Sequence, residues 1–239
     1  MSKKNFGSQV NSLGPHPNEF IFGAEGFVAN YDLLYREIED PWEQTSGFNS
    51  GDSRRFLALH YCERVFPEGG HRSSAKILEI GCGFGFGHVT EGLRVSGFNS
   101  TGVDISRVAI EKAHAQHPEA TFFHRKISDV GLLEKFDPDI IIMSEVTWFV
   151  LDSLDVFLER LAQFAADRVS PTWVIHLLTT YPPDVQKYGR EFFTDLDGML
   201  DYFNLDYIEA GFIASDPNGK QVNRNTFFLA KVPKQLSPR

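Results

Sequence analysis

The sequence predicts an α/β fold built on a seven-stranded, mostly parallel sheet with helices on both faces. Three observations carry that prediction. From residue 75 onward, short apolar runs alternate with helical patterns, the order that generates βαβ units. The run Ile140-Ile141-Ile142-Met143 is apolar without alternation, as expected of a strand covered on both faces. Near the end, Ser215-Asp216-Pro217-Asn218-Gly219 is a turn signal, so the last two strands should form an antiparallel hairpin.

The strand candidates are Lys76–Ile80, Ser100–Asp104, Thr121–His124, Asp139–Ser144, Thr172–Leu178, Leu205–Ile213 and Gln221–Lys231. Helices are expected at about 86–96, 106–116, 152–168 and 194–203. Upstream, a helical pattern at about 24–38 places Phe27, Tyr31, Leu34 and Tyr35 on one face. Asp40-Pro41 ends it, because proline disfavours helical geometry in the residue before it. Trp42 opens a linker containing Gly47 and Gly51, and a second helix starts at Asp52 or Ser53, either a competent N-cap, and runs to about Phe66.

A chain of 239 residues fits one generous domain, and 42% hydrophobic residues supply its core. Twenty-two phenylalanines suggest an aromatic core or pocket wall. A net charge of -9 argues against nucleic acid or an anionic membrane as partner. Cys62 and Cys82 lack metal-ligand spacing and read as reduced thiols, so no metal is expected. No apolar run approaches the roughly 20 residues that span a bilayer, and the first residues lack a secretion signal, which leaves a cytoplasmic protein as the default.

The informative segment is Ile77-Leu78-Glu79-Ile80-Gly81-Cys82-Gly83-Phe84-Gly85, an apolar strand running into glycines and then a helix. Without a Cβ, the chain can turn sharply and admit a ligand to its backbone, at the sheet edge where open α/β folds bind cofactors. A dinucleotide fingerprint needs a third glycine where Phe86 or His88 stands, and a phosphate-binding P-loop needs a Lys-Ser or Lys-Thr that is missing.

The spacing instead resembles motif I of the class I S-adenosylmethionine-dependent methyltransferases, with Glu79, Gly81, Gly83 and Gly85 in register and Cys82 and Phe84 between them. That resemblance implies a Rossmann-like sheet and S-adenosyl-L-methionine as cofactor, with S-adenosyl-L-homocysteine as product. Thr101-Gly102-Val103-Asp104-Ile105-Ser106 follows as a strand ending in an acid. A carboxylate accepts two hydrogen bonds at once. By the resemblance Asp104 grips the ribose hydroxyls and Ile105 packs on adenine; the alternative for Asp104 is an N-cap. After the third strand Lys126 stands where the family often has an acid, so either backbone near Ile127 or the side chain of Asp129 should meet adenine.

Met143-Ser144-Glu145-Val146-Thr147-Trp148-Phe149-Val150-Leu151 resembles the loop that faces sulfonium and substrate in nodulation-type N-methyltransferases and in sugar and natural-product methyltransferases. There Glu145 orients the cofactor or accepts a proton, and Trp148 and Phe149 wall the methyl channel or belong to the core. The histidine that many sugar-modifying relatives carry at this place is absent. Tyr31–Tyr35, Asp40-Pro41-Trp42 and Arg54-Arg55 are similar to the lid preceding motif I, which implies that Trp42 and either Arg55 or Arg54 reach the methionine end.

The resemblance thus divides the chain into an N-terminal helical lid, 1–70, and a cofactor-binding domain, 71–239. It implies methyl transfer to oxygen or nitrogen of a small molecule or glycan, a sugar being favoured, by a monomer or homodimer. Glu145, His176 and Tyr181 are the candidate bases, His176 being alternatively a satisfied core histidine. A rival from another class is a catalytically silent nucleoside-binding module on the same fold.

Overall fold

The computed structural model describes residues 16–23, 26–42, 52–68, 72–84, 89–182, 184–186, 188–214 and 224–234. Its main sheet contains β1 (Lys76–Ile80), β2 (Asn99–Asp104), β3 (Thr121–His124), β4 (Ile140–Ser144), β5 (Trp173–Thr180), β6 (Asp206–Ala214) and β7 (Arg224–Lys231). The spatial order is β3-β2-β1-β4-β5-β7-β6. The first five are parallel, with Ile77 opposite Ser100 on one side and Ile140 on the other. β7 enters antiparallel between β5 and β6, pairing Ile175 with Leu229 and Gly211 with Phe227. Strand order therefore reverses between β1 and β4, where ligands bind in such sheets.

Side-chain alternation decides what each face buries. Ile141 and Met143 point to a cluster with Leu154, Phe157, Leu158 and Leu161 of α7 (Leu151–Ala166) and Met199 and Phe203 of α8 (Leu196–Phe203). Ile140 and Ile142 point the other way, to Ala58, Tyr61 and Cys62 of α3 (Asp52–Val65) and Leu93 of α4 (Thr90–Val95). The unbroken apolar run thus marks a strand wedged between two layers. α5 (Arg107–Gln116) packs Ile110 and Ala113 against Phe122 and Cys82.

Three departures from the sequence reading are local. The helix expected at 24–38 is two short helices, α1 (Asn18–Ile21) and α2 (Tyr31–Glu37), with a ribbon pairing Phe22–Gly23 to Gly26–Phe27 between them. A five-residue helix, α6 (Leu132–Phe136), follows β3 unannounced, entered through Gly131 and left through Asp137, both left-handed. The helix expected at 86–96 begins at Thr90, with 86–88 outside the described residues, as are the linker with Gly47 and Gly51 and the turn 215–219. Among the described residues no helix is long and apolar enough to cross a membrane.

Candidate active site

β1 leads into Gly81 at φ +73° and Gly83 at φ +60°, a backbone region that favours glycine. The N–H groups of Gly81 and Cys82 donate to the Val103 carbonyl at 2.8 and 3.1 Å, which fixes the turn to β2. A Cβ on Gly81 would lie 2.2 Å from Cγ2 of Val146, and one on Gly83 would lie 3.1 Å from the Tyr35 hydroxyl. The turn is therefore squeezed between the loop after β4 and the N-terminal segment.

Asp104 ends β2 beside it. Its Oδ2 accepts the Gly83 N–H at 2.9 Å and its Oδ1 the Ser106 N–H at 2.8 Å. Each oxygen keeps acceptor capacity for a further donor. Burial pushes the Asp104 carboxyl up to about 6, and the two N–H donors oppose that shift. Ser106, not Asp104, is the N-cap of α5, its hydroxyl accepting from Ala109 N–H.

The loop after β4 begins with Glu145 at φ +57°, a left-handed non-glycine residue. Three donors converge on its Oε1: Thr179 N–H at 2.8 Å, Thr179 hydroxyl at 2.9 Å and Arg54 Nη1 at 3.2 Å. Burial raises the Glu145 pKa, with Arg54 and Thr179 pulling against it. Trp148 Nε1 donates to the Thr179 carbonyl at 2.8 Å, so the loop is tied twice to the end of β5.

A cavity of about 670 Å³ joins these groups, within the usual range of roughly 300–1,000 Å³ for small-molecule sites. One half holds Gly81, Gly83, Asp104, Ile105, Ile127 and Ser128; the other holds Arg54, Glu145, Trp148, Phe149, Thr179 and Tyr181. Tyr31, Tyr35 and Trp42 cover it, with Trp42 Nε1 donating to the Tyr35 hydroxyl at 2.9 Å and the Trp42 ring 5.2 Å from that of Phe149.

A family model described as a methyltransferase domain matches residues 52–210. The chain belongs to the methyltransferase domain family. No curated protein sequence matches it significantly. Among solved structures, the methyltransferase is similar to the N-methyltransferase NodS from Bradyrhizobium japonicum WM9 in complex with S-adenosylhomocysteine. That likeness has a TM-score of 0.57 and 15% identity over 85% of this chain and 98% of that one. It is also similar to magnesium protoporphyrin IX methyltransferase from Synechocystis PCC 6803 with S-adenosylmethionine bound, at TM-score 0.51 and 14% identity over 93% of this chain and 100% of that one. A third likeness is to the bifunctional kinase-methyltransferase WbdD, at TM-score 0.57 and 22% identity over 80% of this chain; the match spans 41% of that longer protein. The fold is the one in which the first two of these neighbours hold S-adenosylhomocysteine or S-adenosylmethionine.

The residues present fit that cofactor: a nearly buried carboxylate with acceptor capacity to spare, a turn that a Cβ would fill, and apolar Ile105 and Ile127 close by. Of the site residues expected from sequence, the methyltransferase brings Trp42, Gly81, Gly83, Asp104, Ile105, Ile127, Glu145 and Tyr181 together on this cavity. Gly85 lies outside the described residues.

Others are placed elsewhere. Glu79 turns away and accepts from the N–H of Thr90 at 2.9 Å and from its hydroxyl, so it serves the first turn of α4. Cys82 packs in the α5 cluster and Phe84 against Tyr35 and Ala109, leaving only their backbone near the turn. Arg55 lies along Gly92 of α4, and Arg54 is the arginine on the cavity. Asp129 accepts from the Lys126 N–H at 3.1 Å and faces a separate surface hollow. His176 is fully buried off the cavity, stacked 4.7 Å from Phe228 and sharing a 2.7 Å hydrogen bond with the Thr147 hydroxyl. Burial pushes its pKa down to about 3, so it is a neutral core residue. The sequence reading missed Thr179 and Ser128, and it noted Tyr31 and Tyr35 only as a helix face and lid resemblance.

Proposed function

We propose that this methyltransferase transfers a methyl group to oxygen or nitrogen of a small molecule or glycan, a sugar-type acceptor being favoured. The observation that carries the reading is one cavity lined by the Asp104 carboxylate beside the glycine turn and by a mixed aromatic and hydrogen-bonding wall. Faces of Trp148, Phe149 and Tyr181 beside Arg54, Glu145 and Thr179 suit a sugar ring, whose C–H face is apolar and whose edge is hydroxyl.

The chemistry supplied by the bound cofactor is a methyl carbon on a positively charged sulfur, open to in-line attack by a lone pair. The chain's residues bind and orient. Asp104 would accept hydrogen bonds from the ribose hydroxyls, Ile105 and Ile127 would hold the adenine, and Gly81 and Gly83 would admit the amino-acid end to the backbone. Aromatic side chains exclude water and hold the acceptor close, which contributes much of the rate. Among the described residues every donor to Glu145 lands on Oε1, leaving Oε2 to take a proton from the acceptor. The N-terminal segment acts as a lid over the cofactor half.

Transfer of a labelled methyl group to a panel of amino sugars, neutral sugars, aromatic amines, carboxylic acids, nucleic acid and protein tests the proposal. Label in the sugar set supports it. Label confined to nucleic acid or protein contradicts it, and binding of S-adenosylhomocysteine with no turnover on any acceptor supports the silent module.

A further inference from the structure

Asp32 belongs to α2, the short helix that carries two cavity-covering residues, Tyr31 and Tyr35. Its Oδ1 accepts the Ser106 hydroxyl at 2.7 Å and the Val108 N–H at 3.3 Å, both at the start of α5. Ser106 is at the same time the residue whose N–H holds Asp104 Oδ1 at 2.8 Å and whose Oγ caps α5 through Ala109. One serine therefore joins two carboxylates: its backbone to the strand-end acid that faces the cavity, its hydroxyl to the helix that covers it. Partial burial pushes the Asp32 carboxyl up, but its bonding to Ser106, Val108 and Arg107 outweighs that and holds it below the usual range, so the clasp is ionised at neutral pH.

We propose that Asp32 is a positioning residue that clasps α2 to the Asp104–Ser106 turn and thereby holds Tyr31, Tyr35 and Trp42 at the cavity. This rests on the cofactor reading above. Asp32 touches neither the cavity nor any reacting atom, and it acts through Ser106. Other ties hold the same segment: Tyr35 packs on Phe84 and Ala109, and Lys112 Nζ reaches the Ile38 and Glu39 carbonyls at 3.4 Å. Loss of the clasp therefore loosens the cover without releasing it. A cover that binds tightly only when the turn is correctly formed couples cofactor binding to ordering of α2.

The test is calorimetric titration of S-adenosylhomocysteine into the full chain, together with deuterium uptake by a peptide spanning residues 31–37. In the wild type the ligand should slow uptake in that peptide. Asp32→Ala should bind about tenfold more weakly and lose most of that protection. Asp32→Asn retains an oxygen at the same place and should remain within threefold of wild type in both readouts, which a requirement for bare charge would not allow. Wild-type affinity in Asp32→Ala, or an Asp32→Asn as weak as the alanine variant, overturns the clasp alone. A wild type that binds no S-adenosylhomocysteine removes the cofactor reading and the clasp with it.

Discussion

Alanine scanning of three glycines separates backbone strain from steric crowding in the cofactor turn. Gly97 sits at φ +88° with nothing within 4 Å of an added Cβ, so Gly97→Ala probes the left-handed conformation alone. That costs roughly 1–2 kcal/mol, partly offset by about 0.4–1 kcal/mol from reduced freedom of the unfolded chain. Gly102 has no positive φ, but a Cβ would lie 2.8 Å from Cys82 Cβ, so its substitution probes crowding, roughly 1–3 kcal/mol. Gly81 combines both, at φ +73° and 2.2 Å from Val146 Cγ2. Its alanine variant should lose about 1–5 kcal/mol, the two costs less the same unfolded-chain offset, which is a large part of a domain's stability. Urea unfolding with a shared slope measures all three. A Gly81→Ala midpoint no lower than that of Gly97→Ala would refute the claim that Val146 closes on this turn.

Three further outcomes are expected. Glu79 carries a folded-state pKa of about 7 against 4.5 unfolded, from burial opposed by Thr90. The folded state therefore holds the proton between these values, and stability should fall by roughly 3 kcal/mol as pH rises from 4.5 to 7; Glu79→Gln should flatten that slope in urea melts at several pH values. His176→Phe leaves the buried Thr147 hydroxyl unpaired and should cost about 1–3 kcal/mol while kcat/KM stays within about threefold; a collapse of turnover in folded protein would return His176 to the chemistry. Glu145→Gln should lower kcat by about a hundredfold or more with S-adenosylhomocysteine affinity nearly unchanged; weakened binding with normal kcat would make Glu145 a cofactor ligand and not a base.

The strands and the glycine turn were legible because their signals are local: apolar runs of strand length, and glycines where no side chain fits. Asp104 was legible because its distance from the turn is set by one helix and one strand. Arg54 and Arg55 were not separable, since adjacent helical residues point about 100° apart and only the packing of α3 on α4 decides which faces the cavity. Glu79 belongs to the motif by spacing, yet strand alternation turns it to Thr90, a partner eleven residues on. His176 reads alike as base or core until β7 brings Phe228 against it. The helix expected at 24–38 failed because Gly23 and Gly26, which pair in the ribbon, outweigh the helical spacing of its aromatic residues. Thr179 has no local signal at all; it acts because β5 runs beside β4 and presents its N–H and hydroxyl to Glu145.

The most direct measurement is titration of S-adenosylhomocysteine into wild type and Asp104→Ala across pH, with NAD as the contrasting ligand. One site per chain is expected, weakened at least tenfold by the substitution. Affinity in the wild type should fade as pH drops through about 6, where protonation takes an acceptor from the ribose hydroxyls. Undiminished binding by Asp104→Ala, or heat from NAD in place of S-adenosylhomocysteine, would contradict the account at its root.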